Sequence, residues 1–160
     1  MKCFLHVMIF IALLSLSGCS VKHEITTSHT YLITIKTPQM ALSDTGFLNQ
    51  GTGYTQLQIF NAGSVLFNLE MNDTICLDGT CLEKEDFNRR FFGTEHYATL
   101  MEDIVSKKAL YEGKNRVSLP LGFTQKIDLP TAHIEYRVEG DMRYFKDSKN
   151  GILIRLRPLP

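Results

Sequence analysis

Apolar and polar positions alternate with period two over most of the chain. Tyr31, Ile33 and Ile35 share one face of Thr30–Thr37, and Leu57 and Ile59 share one face of Tyr54–Phe60. Val65, Phe67, Leu69 and Met71 do so next, after the turn Asn61-Ala62-Gly63-Ser64. The pattern returns late, with Phe123, Gln125, Ile127 and Leu129, then Ala132, Ile134, Tyr136 and Val138, a short run at Met142–Phe145, and Ile152, Ile154 and Leu156. Alternation of this kind marks half-buried strands. The tight turns between them, Asn150-Gly151 among them, require antiparallel pairing. The stretch Gln39–Gly53 is rich in Gly, Ser, Asp, Asn and Thr and reads as a long loop. Its Met40, Leu42, Phe47 and Leu48 are the candidate partner-contact residues.

The period changes between about residues 84 and 111. Tyr97, Leu100, Met101, Ile104 and Val105 fall at the spacing of one helix face. Thr94 is placed to cap that helix, and Gly93 and Gly113 bound it. The pattern predicts a mainly β domain: an antiparallel immunoglobulin-like β-sandwich of about seven strands with a helical insertion. A small β-barrel is the alternative.

The first residues obey a different pattern. Phe4–Leu16 is almost wholly apolar, too short for a spanning helix of ~20 residues, and reads as a signal-peptide core. It ends in Leu16-Ser17-Gly18-Cys19, which resembles the lipobox of bacterial lipoproteins. Small Ser17 and Gly18 let the chain enter a peptidase, and the Cys19 thiol takes the diacylglyceryl group. The expected organisation is a signal peptide over 1–18, the lipidated Cys19 with a tether to residue 28, and one domain over 29–160. Ser20, rather than Asp, leans toward the outer membrane.

Export permits disulfides. In Cys76-Leu77-Asp78-Gly79-Thr80-Cys81 the Asp-Gly pair is a favoured two-residue hairpin turn. That turn makes Cys76 and Cys81 a non-hydrogen-bonded pair with Cα atoms ~4.5 Å apart, which predicts a structural disulfide. The spacing is neither that of a redox C-x-x-C nor of a zinc site.

Glu85-Asp86-Phe87-Asn88-Arg89-Arg90-Phe91-Phe92, Leu110-Tyr111-Glu112-Gly113-Lys114-Asn115 and Gly122-Phe123-Thr124-Gln125 resemble small lipoproteins of epsilonproteobacteria with an immunoglobulin-like fold. The similarity runs from about residue 28 to the end. It implies the same sandwich and supplies no catalytic residues.

Charge adds an exclusion. Lys plus Arg and Asp plus Glu number 17 each in 160 residues, so no field of one sign draws nucleic acid. Gly51-Thr52-Gly53 lacks the Lys-Ser/Thr of a phosphate loop, and Asp44, Asp73 and Asp78 do not form a calcium loop. His96 beside Glu95 has no local nucleophile, and His133 among Glu135 and Arg137 reads as a polar strand face. The paired cations and aromatics of Asn88–Phe92 read as a helix end with buried Phe residues. The expectation is a non-enzymatic lipoprotein without cofactor or metal. It would be held on the membrane by its lipid and act as an interaction, adhesion or assembly module toward other envelope proteins. A carrier of a small lipid-like ligand is the second expectation.

Overall fold

The computed structural model describes residues 24–160. The lipobox Leu16, Ser17, Gly18 and Cys19, with the rest of the signal-peptide reading, lies outside the described residues. Eleven strands form one antiparallel sheet in the order β6-β5-β4-β3-β2-β1-β11-β10-β9-β8-β7. Strands β1 (Ile25–Lys36), β2 (Ala41–Gly51), β3 (Tyr54–Asn61), β4 (Ser64–Met71), β5 (Ile75–Leu77) and β6 (Thr80–Leu82) run outward as a meander. Helices α1 (Lys84–Phe92) and α2 (Leu100–Val105) follow, with a 3₁₀ turn at Tyr111–Gly113. Strands β7 (Arg116–Leu119), β8 (Gly122–Asp128), β9 (His133–Glu139), β10 (Met142–Asp147) and β11 (Ile152–Pro158) then return until β11 pairs with β1.

The mainly β class stands, but eleven strands in one sheet replace about seven in a two-sheet sandwich. The sheet is also not closed into a barrel, because its end strands β6 and β7 do not pair with each other. Laid flat, eleven strands at ~4.8 Å spacing would span about 48 Å, far more than two short helices can cover. The core is nevertheless continuous. Phe87, Phe91 and Phe92 of α1 and Leu100, Met101, Ile104 and Val105 of α2 join inward residues from Tyr31 in β1 to Phe145 in β10. The sheet therefore wraps around the helical segment. Among the described residues, the buried apolar side chains run from Tyr31 to Leu156.

Two expectations about boundaries change. The tether expected to reach residue 28 ends sooner, since β1 begins at Ile25. The stretch expected to be a loop over 39–53 is mostly strand β2. Its Asn49 belongs to a hydrogen-bonded row on the outer face of the sheet. Ser28 Oγ donates to Asn49 Oδ1 (2.6 Å), Asn49 Nδ2 to Gln56 Oε1 (3.0 Å), Gln56 Nε2 to Asn68 Oδ1 (3.0 Å), and Asn68 Nδ2 to Glu70 Oε1 (2.7 Å). This amide ladder crosses four strands and ends on a carboxylate. Gly46 is required where β2 crosses the core: a Cβ there would lie 2.0 Å from the Gln58 carbonyl oxygen and 2.4 Å from Ile33 Cδ1.

Gly93 ends α1 in the left-handed conformation, as its position predicts. The second helix is shorter than its periodicity suggests, with Thr99 rather than Thr94 at its start. The predicted disulfide is present: Cys76 and Cys81 are opposite each other in β5 and β6 with Cα atoms 3.9 Å apart. Closing so small a loop contributes about 2 kcal/mol.

Candidate functional site: an apolar cleft between the cysteine hairpin and the first helix

The β1–β2 turn meets two segments adjacent to each other but remote from it in sequence at one end of the sheet, and the three border an open cleft of about 540 Å³, within the usual range for a small-molecule site. The first is the β1–β2 turn. Thr37 Oγ1 accepts the N–H groups of Gln39 and Met40, both at 3.1 Å, and Thr37 N–H donates to Met40 O at 2.8 Å. That closed turn aims the Met40 side chain at the cleft.

The second wall is the hairpin β5–β6. Asp78 and Gly79 both take positive φ, 48° and 85°, the requirement of its two-residue turn. The register pairs Leu77 with Thr80 and Ile75 with Leu82, so Leu77, Thr80 and Leu82 face inward and Cys76 and Cys81 face away. The turn is fastened to β4: Asp78 Oδ1 accepts the Asn68 N–H and Asp78 N–H donates to Asn68 O, each at 2.9 Å.

Helix α1 supplies the third wall. Phe87 and Phe91, one turn apart, stack at 5.4 Å and 18° and form its apolar surface. Fully buried Asn88 orients the helix by donating from Nδ2 to Tyr97 O (2.9 Å) and Ala98 O (2.8 Å). Lys84 ties it to Glu102 of α2 at 2.8 Å. Two neighbouring arginines at the helix end behave differently. Arg89 pairs with Asp86 and reaches Glu95. Arg90 lines the cleft, is exposed, and has no hydrogen-bond or ion-pair partner among the described residues. The cleft therefore has an apolar interior of Met40, Leu77, Leu82, Phe87 and Phe91 and an unneutralised guanidinium at its rim.

The candidate contact residues do not form one surface. Met40 lines the cleft, Leu42 packs partly buried on the core, and Leu48 is fully buried. Phe47 is 37% exposed on the outer face, where Phe60 meets it edge-on at 5.5 Å. The Phe residues of Asn88–Phe92 are buried, as that motif predicts. Leu77, Leu82, Phe87, Phe91 and Arg90 were not expected to form a site. Their local signals, a cysteine hairpin and an amphipathic helix end, were legible, but their meeting was not.

The histidines do other work. His96 turns inward, where its Nδ1 and the Tyr111 hydroxyl lie 2.6 Å apart and its ring meets Phe92 edge-on at 5.2 Å. Burial pulls its pKa below the usual imidazole value, and the negative charge of Asp147 pulls part of the way back. Burial, with Asp147 second, pushes the Tyr111 phenol up to about 12. The neutral pair clamps the α1–α2 connection to the 3₁₀ turn. Glu95 instead points to solvent, its side chain 86% exposed, so the two neighbours do not converge. His133 pairs with Asp128 on the sheet at 3.0 Å.

Among the described residues, no group of three or more His, Cys, Asp or Glu side chains could hold a metal ion, and no helix is long and apolar enough to cross a membrane. No family model matches the chain, and no curated protein matches it.

Proposed function

We propose that the chain is an envelope lipoprotein, acylated at Cys19 and held at the outer membrane. Its folded part is non-enzymatic and carries an amphiphile with one aliphatic chain and an anionic head group. The observation that supports this reading best is the apolar cleft with Arg90, which has no partner among the described residues, at its rim. A methylene moved from water into such a surface gains ~0.8 kcal/mol. Several methylenes can then offset the cost of ordering a bound ligand. An exposed ion pair adds only ~0–1 kcal/mol, so the chain supplies the affinity and Arg90 sets which end faces solvent. The wider expectation of a protein-contact module narrows to this cleft, because the residues put forward for contact are separated.

The binding test uses the chain from Ser20 onward, which keeps every buried apolar residue of the described structure. It should bind a long-chain fatty acid more tightly than the alcohol of equal length in a dye-displacement titration. Arg90→Glu should weaken fatty-acid binding about three- to tenfold, the size of one reversed surface pair, and leave the alcohol almost unchanged. Absence of binding to either ligand would remove the carrier reading. The anchor is tested separately by intact mass of protein made in a bacterium with a lipoprotein pathway. Residues 1–18 should be gone and Cys19 should carry acyl mass, whereas Cys19→Ala should remain an unacylated precursor. A bare Cys19 in the mature protein would contradict the anchor.

A further inference from the structure

The cleft wall made by β5 and β6 is the least supported part of the sheet. β6 is an edge strand of three residues paired on one side only, and β5 meets β4 over three residue pairs. Hairpins this short are marginal by themselves. Yet Leu77, Thr80 and Leu82, all from this hairpin, line the cleft. The hydrogen bonds between Asp78 and Asn68 hold the turn to β4 but do not touch β6. Besides its own short ladder and the packing of Leu82 on the core, β6 is held by the Cys76–Cys81 bond. That bond lies on the face away from the cleft, with Cys81 exposed.

We propose that the Cys76–Cys81 disulfide is a redox-sensitive strap on the cleft, so that its reduction frees β6 and releases the bound aliphatic chain. The proposal rests on the carrier reading and adds its regulation. The reductant is a dithiol of the thiol–disulfide exchange class, and it reaches the bond from solvent without entering the cleft. Its thiolate attacks the exposed Cys81 sulfur, the S–S bond breaks, and the Cys76 thiolate leaves and takes a proton. The second thiolate of the reductant then attacks its own sulfur in the mixed disulfide and expels Cys81, which is also protonated. Two electrons and two protons enter the protein, and the dithiol becomes a disulfide. Leu82 then loses its fixed place opposite Ile75, and the cleft loses one apolar wall.

The test again uses the chain from Ser20, in which Cys76 and Cys81 are the only cysteines. Fatty-acid affinity is measured on the oxidised protein, after dithiothreitol with full reduction confirmed by mass, and after reoxidation. Affinity should fall at least fivefold on reduction and recover on reoxidation. Cys76→Ser/Cys81→Ser should bind weakly with or without dithiothreitol. Independently of ligand, amide exchange at Thr80–Leu82 should accelerate on reduction while that of Ile33 and Ile35 in β1 stays the same. Equal affinity in the two redox states, or unchanged exchange at Thr80–Leu82, overturns the strap alone. Failure of the oxidised protein to bind takes the carrier reading down and the strap with it.

Discussion

Replacing Arg143 with Met should cost the fold about 3–5 kcal/mol, because three groups lose their donor and each stranded group costs ~1–3 kcal/mol where water cannot reach it. Arg143 is 2% exposed on the inner face of β10. Its Nε donates to Val105 O at 2.7 Å, and its Nη1 donates to the Tyr31 hydroxyl at 2.9 Å and to Asp141 O at 2.7 Å. Val105 is the last residue of α2, so the guanidinium caps the negative end of that helix and its charge has a favourable dipole to meet. The same group sits over the Tyr31 ring at 5.1 Å. Three elements, α2, β1 and β10, are thus joined at one side chain. Met keeps the apolar stem but leaves two carbonyls and a phenol without their donor. Urea unfolding of the chain from Ser20 checks this. A loss below about 1 kcal/mol would mean that water reaches those groups and that α2 is held by its apolar face alone.

The second large effect is expected at Gln125, which is fully buried on β8. Its Oε1 accepts the Leu110 N–H at 2.8 Å, and its Nε2 donates to Leu110 O at 2.9 Å and Lys114 O at 2.7 Å. One side-chain amide therefore stands in for a neighbouring strand and pairs both main-chain groups of Leu110. The segment it holds is under strain. Lys107, Tyr111, Glu112 and Asn115 all adopt positive φ, between 48° and 61°, a conformation that costs of order 1 kcal/mol or more per non-glycine residue. Gln125→Leu matches the volume but leaves the Leu110 N–H without an acceptor and the Lys114 carbonyl without this donor, while the Leu110 carbonyl keeps only the Gly113 N–H at 3.0 Å. A loss of about 3 kcal/mol is expected. Amide exchange should rise first over residues 107–115, because the strain releases as soon as the pairing fails. Uniform acceleration across the sheet would instead mean that Gln125 supports the whole core equally.

Both side chains show where a sequence pattern stops being informative. The alternation of Tyr31, Ile33 and Ile35, and of Ile134, Tyr136 and Val138, identifies inward faces because one face of each strand is dry. Gln125 was placed on such a face correctly, but a polar residue in an apolar row does not announce the three groups it satisfies. Strand β2 was missed for the opposite reason. Gly46, Ser43, Asp44 and Asn49 are poor strand formers, and what makes them acceptable is tertiary: the amide ladder at Asn49, the hydrogen bonds of Ser43 with Thr34 and of Asp44 with Asn61, and the room needed by Ile33. Strand β7 was missed because Arg116, Val117 and Ser118, on an exposed edge, carry no burial signal.

Alternation also says that one face is buried without saying against what. Two packed sheets and one sheet wrapped on helices give the same period. They are told apart by the β1–β11 pairing, in which Ile33 lies opposite Leu156, a contact that no local pattern encodes. The disulfide was legible because turn chemistry and register are local. The cleft was not, because the β1–β2 turn, the cysteine hairpin and α1 each look ordinary alone and become a site only where the fold brings them together.

The proposed carrier role requires an aliphatic chain to lie between that hairpin and α1. The most direct measurement is a titration of methyl-labelled protein with a long-chain fatty acid bearing a nitroxide near its methyl end. The methyl resonances of Met40, Leu77 and Leu82 should broaden first and saturably, while those of the exposed Val117 and Leu121 stay sharp. Broadening that begins at Val117 or Leu121, or that spreads evenly over all methyls, would contradict the cleft as the binding site.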